Sequence, residues 1–195
     1  MNRADLKELH YITPIENLSL IFQHGILSNA GSKRLSPKSV AEPGVQARRA
    51  KAMVPSGRPL HDYVNLYICA RNPMMYRLRF EKLAVVRVST GVLDLPGVVI
   101  TDGNAVSDKY TRFSSSPSGL LQIDKDLVFA ESWNDSDQIE KWRKSRAKCA
   151  EVLVPDKVET RFILGLYVPN IDMKKHLAET TGSYSVDTDA HLFFK

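Results

Sequence analysis

Glu151 stands inside AEVLV (150–154), a run of strand formers closed by Pro155. Alternation sends Ala150, Val152 and Val154 to one face and Glu151 with Leu153 to the other. A carboxylate in such a place needs a partner or a chemical task. One reading is an edge-strand glutamate paired with Lys or Arg. The other is a functional carboxylate that the strand holds rigidly in place. The second group is Arg48-Arg49 in VQARRAKAM (45–53). A basic run of this kind is either a surface for an anionic partner or a solvated helix face. Tyr11, Tyr67 and Tyr76 can stack on planar ligands, although strand aromatics are more often core. Arg71, just after a Tyr-rich strand, suits a phosphate. The sequence has no GxGxxG after a strand, no P-loop, no HExxH and no GxSxG. Five scattered histidines lack metal spacing, and Cys69 and Cys149 read as small buried hydrophobes. The expectation is chemistry without a metal.

The elements that must hold these groups follow from pattern. ELHYIT reads as a first strand. TPIENLSLIFQHG reads as a helix with a Thr13-x-x-Glu16 capping box, an apolar stripe of Ile15, Leu18, Ile21 and Phe22, and a stop at Gly25. Residues 28–44 read as a loop, VQARRAKAM as a short helix, VPSGRPLHDY as a turn and VNLYICA as a strand. NPMMYRL starts a turn or short helix. LAVVRVS and GVVIT are strands. TDGNAVSDKYTRFSSSPSG reads as a long surface loop, too polar for core and of a kind that is often functional. DSDQIEKWRKSRAKC is a helix capped by Asp135 or Ser136. The strands AEVLV and FILGLYV follow, then the Asn170-capped helix NIDMKKHLAETTG and a closing strand SVDTDAHLFF. Strands and helices mix without a βαβ rhythm, so the class is α+β, in one domain over residues 1–195.

Composition sets the bounds. The 195 residues are 43% hydrophobic and 25% charged, as in an ordinary soluble globular chain. No apolar run has the length of a membrane span, and MNRADLKELHYIT lacks the apolar region of a secretory signal. With two cysteines, the expected compartment is a reducing cytoplasm, away from membranes. A net charge of +5 favours an anionic partner. The cations cluster at Arg48, Arg49 and Lys51, at Arg71, Arg77 and Arg79, and at Lys141, Arg143, Lys144, Arg146 and Lys148. Each cluster is a phosphate-facing surface or a solvated face.

HYITPIENLSLIFQHGIL, VQARRAKAMVP, LHDYVNLYICARNPMMY and AEVLV together, in that order, resemble the DarT family, over most of the chain. The resemblance implies an ADP-ribosyltransferase fold, a split mixed β core with peripheral helices, and NAD as substrate in the cleft. It implies a toxin that transfers ADP-ribose to a base in single-stranded DNA and blocks replication, with guanine slightly favoured over thymine. It also implies a DarG-like macrodomain antitoxin as partner. Glu151 falls on the catalytic glutamate and Arg49 on the key arginine, serving either NAD or the base. His10 or Tyr11, with Thr13, Asn17, Gly25, Leu27 and Arg49, would meet NAD. The family pattern has its first two residues exchanged at His10-Tyr11, and Gly44 stands where a histidine can occur. Tyr67, Arg71, Met74, Tyr76 and Arg146 would meet DNA. The rivals are the same transfer to RNA or protein, simple NAD hydrolysis, and a non-catalytic nucleic-acid-binding module.

Overall fold

Apolar alternation and β-branched runs build a mixed sheet whose strands are β1 (Leu9–Pro14), β3 (Tyr63–Tyr67), β4 (Leu83–Val88), β5 (Val99–Thr101), β6 (Phe113–Ser115), β7 (Glu151–Pro155), β9 (Ile163–Val168) and β10 (Ser185–Thr188). The computed structural model describes residues 1–106 and 111–195. Among these the sheet order is β10-β9-β4-β1-β3-β7-β5-β6, with β10 parallel to β9 and the other neighbours antiparallel. A two-stranded sheet pairs β2 (Ile26–Leu27) with β8 (Lys157–Val158). The α+β class read from the sequence is the architecture found.

One face of the large sheet carries the main core, with Leu9, Leu66, Val86, Val152 and Leu166 packed against Leu18 and Ile21 of helix α1 (Leu18–His24). The other face carries two smaller clusters. Ile12, Tyr67, Met75, Val85 and Phe193 form one, and Val54, Leu60, Tyr63, Ala105 and Leu153 form the other. The feature that matters for function is a split. β1 runs beside β4 from Leu9 to Pro14, yet it meets β3 at one register position, His10 opposite Tyr67. The two strands diverge from there, and the opening becomes a cleft.

Local structure departs from the sequence reading in four places. Thr13 caps no helix. It is the buried penultimate residue of β1, a 3₁₀ turn (Ile15–Asn17) intervenes, and α1 begins only at Leu18, because pairing with β4 holds the chain extended through Pro14 opposite Leu83. Residues 28–44 are not all loop. They include helix α2 (Asn29–Ser32), a 3₁₀ turn (Lys33–Leu35) and the start of α3 (Pro43–Lys51), with the Ser28 and Glu42 side chains accepting at the N-termini of α2 and α3. α4 (Pro73–Arg77) and α5 (Lys125–Val128) are short and capped by Asn72 and Asp124. The cap of α6 (Gln138–Ala147) is Asp137, which accepts from Ile139 and Glu140; Asp135 instead accepts from the Asp137 amide and Lys144. α7 (Ile171–Leu177) has the expected Asn170 cap. Finally, TDGNAVSDKYTRFSSSPSG is not a surface loop throughout. Thr101, Asp102 and Ala105 are buried, and 113–115 form β6; residues 107–110 lie outside the described residues.

Candidate active site

Register places a row of polar side chains across the sheet, since residues opposite one another share a face. Arg87, His10, Tyr67, Glu151 and Thr101 follow one another over β4, β1, β3, β7 and β5. Glu151 is therefore no edge-strand residue. β7 lies between β3 and β5, and Glu151 is fully buried. Its partner is the Arg49 guanidinium, whose Nη1 donates to Oε1 and Oε2 at 3.2 Å each. The Ala105 amide donates to Oε2 at 3.4 Å.

Arg49 reaches Glu151 from the last turn of α3, whose first turn is fixed by Pro43 and by the Glu42 side chain accepting from Gly44. Arg49 is 6% exposed, whereas its neighbour Arg48 is exposed. The Arg49 Nη2 is buried with no hydrogen-bond partner. An unmet guanidinium donor in the wall of a cleft is a costly arrangement that a ligand oxygen would relieve.

The cleft has a volume of about 880 Å³, the size range of sites that enclose small molecules and cofactors. Tyr11, Thr13, Asn17, Gly25, Leu27, Arg49, Tyr67 and Met74 line it, and these eight were singled out from the sequence. Their surroundings explain several. Tyr67 is buried, its hydroxyl donates to Met74 Sδ at 2.9 Å, and burial with the nearby Glu151 charge raises its pKa well above the usual value. Burial likewise raises that of Tyr11. Gly25 has φ +81°, and a Cβ there would lie 2.3 Å from the Val158 carbonyl oxygen, so the β2–β8 pairing demands glycine. The Asn17 amide is engaged within the fold. It donates to the Lys38 carbonyl and accepts from the Lys38 amide, both at 2.9 Å, and donates to Thr13 Oγ1 at 3.2 Å. It thus clasps the 37–42 segment, which forms part of the cleft wall.

Four expected contacts sit elsewhere, and Glu151 lies behind Arg49 rather than among the residues that line the cleft. His10 does not line the cleft; its Nε2 lies 3.3 Å from Glu8, so Tyr11 is the ring of the pair that faces the opening. Arg71 does not line it either. Nη1 donates to the His191 carbonyl, and the guanidinium lies 3.9 Å over the Phe194 ring, because the C-terminal turn packs there. Arg146 is held by Asp102 at 2.6 Å. Tyr76 is 45% exposed outside the cleft. Lastly, the basic run of α6 is not a free phosphate track: Arg143 pairs with Glu140, Lys144 with Asp135 and Arg146 with Asp102. The buried Lys148 donates to the Ala130 and Val128 carbonyls, where α5 ends.

Sequence reasoning missed a support behind Glu151. Asp102 accepts from Arg146 (2.6 Å), from the Arg112 amide (2.8 Å) and from Arg112 Nε (2.9 Å). Burial would raise its pKa, but those donors outweigh it and the net shift is downward. A Cβ on Gly103 would lie 2.7 Å from Arg146 Cγ, so the turn passes close under that side chain. The turn then delivers the Ala105 amide to Glu151. Only the register of Thr101 against Glu151 brings these groups together, and no local pattern encodes it. His61 also lines the cleft, with Nε2 3.1 Å from Gln46 Oε1, and burial together with the Arg49 charge lowers its pKa. Burial pushes the Cys149 thiol up to about 12, which leaves it inert as a nucleophile near neutrality. Among the described residues no group of three His, Cys, Asp or Glu could hold a metal ion, and no helix is long and apolar enough to cross a membrane.

A split mixed sheet with a buried glutamate held by a cleft-lining arginine is the architecture that the sequence resemblance implies. The family model described as "ssDNA thymidine ADP-ribosyltransferase, DarT" matches residues 10–193, and the chain belongs to the DarT family. It is 30% identical over 197 residues to a DNA ADP-ribosyl transferase–DNA ADP-ribosyl glycohydrolase fusion protein of Thermosipho africanus, covering 96% of this chain and 50% of that protein. The chain thus spans half the length of that relative. It is 30% identical over 144 residues to a DNA ADP-ribosyl transferase of Thermus sp., covering 67% of this chain and 68% of that one. Among solved structures, Thermosipho africanus DarTG in complex with ADP-ribose superposes with a TM-score of 0.85 at 29% identity, covering 96% of this chain and 51% of that one. Thermus sp. 2.9 DarT in complex with ADP-ribosylated ssDNA does so with a TM-score of 0.84 at 24% identity, covering 99% of each, and supports the fold.

Proposed function

We propose that the protein transfers ADP-ribose from NAD to a base in single-stranded DNA, with no metal, and that the reaction makes it a toxin that blocks replication. The observation that carries this is the buried Glu151 held by Arg49, which lines the cleft with its Nη2 left unmet. Tyr11, Thr13, Gly25, Leu27 and Arg49 would hold NAD, and Asn17 would act by clasping the wall around it.

In the reaction the bond from ribose C1′ to the nicotinamide nitrogen breaks, and nicotinamide leaves with the bonding pair. Positive charge builds on the ribose as an oxocarbenium-like centre. Glu151 is a fixed anion for that charge and an acceptor for a ribose hydroxyl. In the structure Arg49 covers it, so Arg49 must move onto the substrate for the carboxylate to meet the ribose. The guanidinium then serves the NAD pyrophosphate or the acceptor base. A base nitrogen forms the new bond to C1′ and loses its proton to solvent. A base in a duplex has its reactive edge paired, so an unpaired strand is the simplest acceptor. A non-catalytic nucleic-acid-binding module would leave the buried pair and its unmet donor without a purpose.

Incubation with labelled NAD and a mixed oligonucleotide tests this reading. The expected result is label on the single strand and little on the same sequence annealed to its complement. Equal labelling of both, label on RNA or protein alone, or free ADP-ribose alone would overturn it. The family description names thymidine, whereas the sequence reading leans to guanine; mass spectrometry of the labelled strand decides between them. A DarG-like macrodomain is the proposed antitoxin, supported by the glycohydrolase half of the fusion relative. Two free cysteines accord with a reducing cytoplasm as the proposed compartment.

A further inference from the structure

Outside the cleft lies a group of rings, Tyr76 and Phe80 exposed and Trp133 and Phe194 half-buried, that the packing of the core does not explain. Tyr76, Trp133 and Phe194 come from three separate stretches of chain and meet edge to face, with centroids 5.2–5.9 Å apart. That triad alone would be a small anchor for the C-terminal turn. Phe80, however, is 80% exposed and forms no ring–ring contact among the described residues. The Arg79 guanidinium lies 4.1 Å from the Tyr76 ring and 4.4 Å from the Phe80 ring, and Lys195 Nζ lies 5.7 Å from the Phe80 ring. Among the described residues neither cation pairs with a carboxylate. Large exposed rings with unneutralised cations mark a binding surface rather than a fold requirement.

Its position identifies the occupant. Tyr76 lies on α4, the helix whose Met74 and Arg77 line the cleft, and Met74 and Phe194 pack on the same small cluster. A chain leaving the cleft over α4 runs directly onto these rings. Exposed π faces beside positive charges fit a polymer that alternates planar bases with phosphates. We infer that Tyr76, Arg79, Phe80 and Trp133 form a stacking platform for nucleotides of the single-stranded DNA that flank the acceptor base. The inference rests on the proposed function and gives Tyr76 a place outside the catalytic cleft.

The test uses the whole chain in a Trp142→Phe background, which leaves Trp133 as the one tryptophan of the two in the sequence. Two single-stranded oligonucleotides are compared: one with the acceptor and its immediate neighbours, the other extended on both sides. Binding of the extended strand is expected to quench Trp133 emission more than the short one does. It is also expected to be the better substrate by about tenfold in kcat/KM, the worth of one or two stacked bases. Phe80→Ala, at a site too exposed to unfold the chain, is expected to abolish that preference, and Arg79→Gln to reduce it. Equal quenching by both strands with no length preference, or a preference that survives Phe80→Ala, would overturn the platform. The two readings fail separately. Label on the short strand reports the chemistry without the platform, and quenching reports the platform without the chemistry.

Discussion

Two carboxylate–arginine pairs sit on one row of the sheet, and they are built to opposite specifications. Near β4 and β9, Glu8 accepts from Arg87 Nε at 2.9 Å and faces His10 Nε2 at 3.3 Å, while Arg87 also binds Asp187 at 2.6 Å and lies 4.7 Å from the Tyr167 ring. Burial would raise the Glu8 pKa, but hydrogen bonds from His10, Arg87 and Tyr167 bring it down to about 2. The guanidinium is shared among partners, and the one unmet atom beside it, His10 Nδ1, is a weak ring nitrogen. Across the row, Glu151 is fully buried, yet it has one charged partner at 3.2 Å, and that partner keeps a buried donor unused. The first pair holds strands together. The second carries unmet bonding capacity in a cleft wall, and substrate can draw on that capacity.

The largest effect separating the two pairs is expected at Glu151. Glu151→Gln keeps shape and one acceptor but removes the charge, so transfer should fall by about 10²–10³-fold, with the circular dichroism spectrum retained. A rate near wild type would place Glu151 with Glu8 as a structural residue. Arg49→Lys comes next. It keeps charge but loses the fork, and losing one charge-assisted hydrogen bond of roughly 1.5–3 kcal/mol corresponds to a rate loss of about ten- to hundredfold. Arg48→Lys, on the exposed side of the same helix, should be near neutral. Similar small losses at both positions would return the helix to a solvated face.

Glu8→Gln should show the opposite profile, with activity retained and stability altered in a pH-dependent way. The folded Glu8 pKa of about 2 lies below its unfolded value. Its stabilisation is therefore fully present above the unfolded pKa and is lost as pH falls through about 2. The melting-temperature gap between wild type and Glu8→Gln should be widest near neutral pH and should narrow below the usual glutamate range. A constant gap across that range would mean that packing, not charge, is what the variant removes. A smaller loss than at Arg49 is expected at Asn17→Ala. Freeing the Lys38 backbone should raise KM for NAD a few-fold while leaving kcat nearly intact, since each such bond contributes about 1 kcal/mol. A fall in kcat alone would mean that Asn17 touches the reacting centre.

The sequence reached the second pair more readily than the first. Glu151 stood out because a carboxylate broke an apolar strand, and Arg49 because VQARR (45–49) matched a family pattern. Eight of the expected residues do line one cleft. What stayed hidden depends on partners far along the chain. Arg87 meets Glu8 79 residues away, and Arg146 meets Asp102 44 residues away. Neither separation leaves a periodicity to read. Arg71 looked phosphate-facing until the C-terminal turn occupied it, and Thr13 looked like a cap until pairing with β4 carried the strand past it. Local signals gave element types well. They failed where long-range pairing decided the outcome.

The single meeting point of β1 and β3 also has a consequence for turnover. A sheet joined there by one register position has a seam where local opening needs little backbone hydrogen bonding to be lost. A ligand seated in the cleft bridges both sides of that seam and adds its binding free energy to the closed form, about 2.7 kcal/mol when present at a hundred times its Kd. Proteases act on open forms, so under the proposed function resistance to digestion should follow the NAD supply. The molecule would then be longest-lived where its substrate is abundant and shortest-lived where that pool has run down.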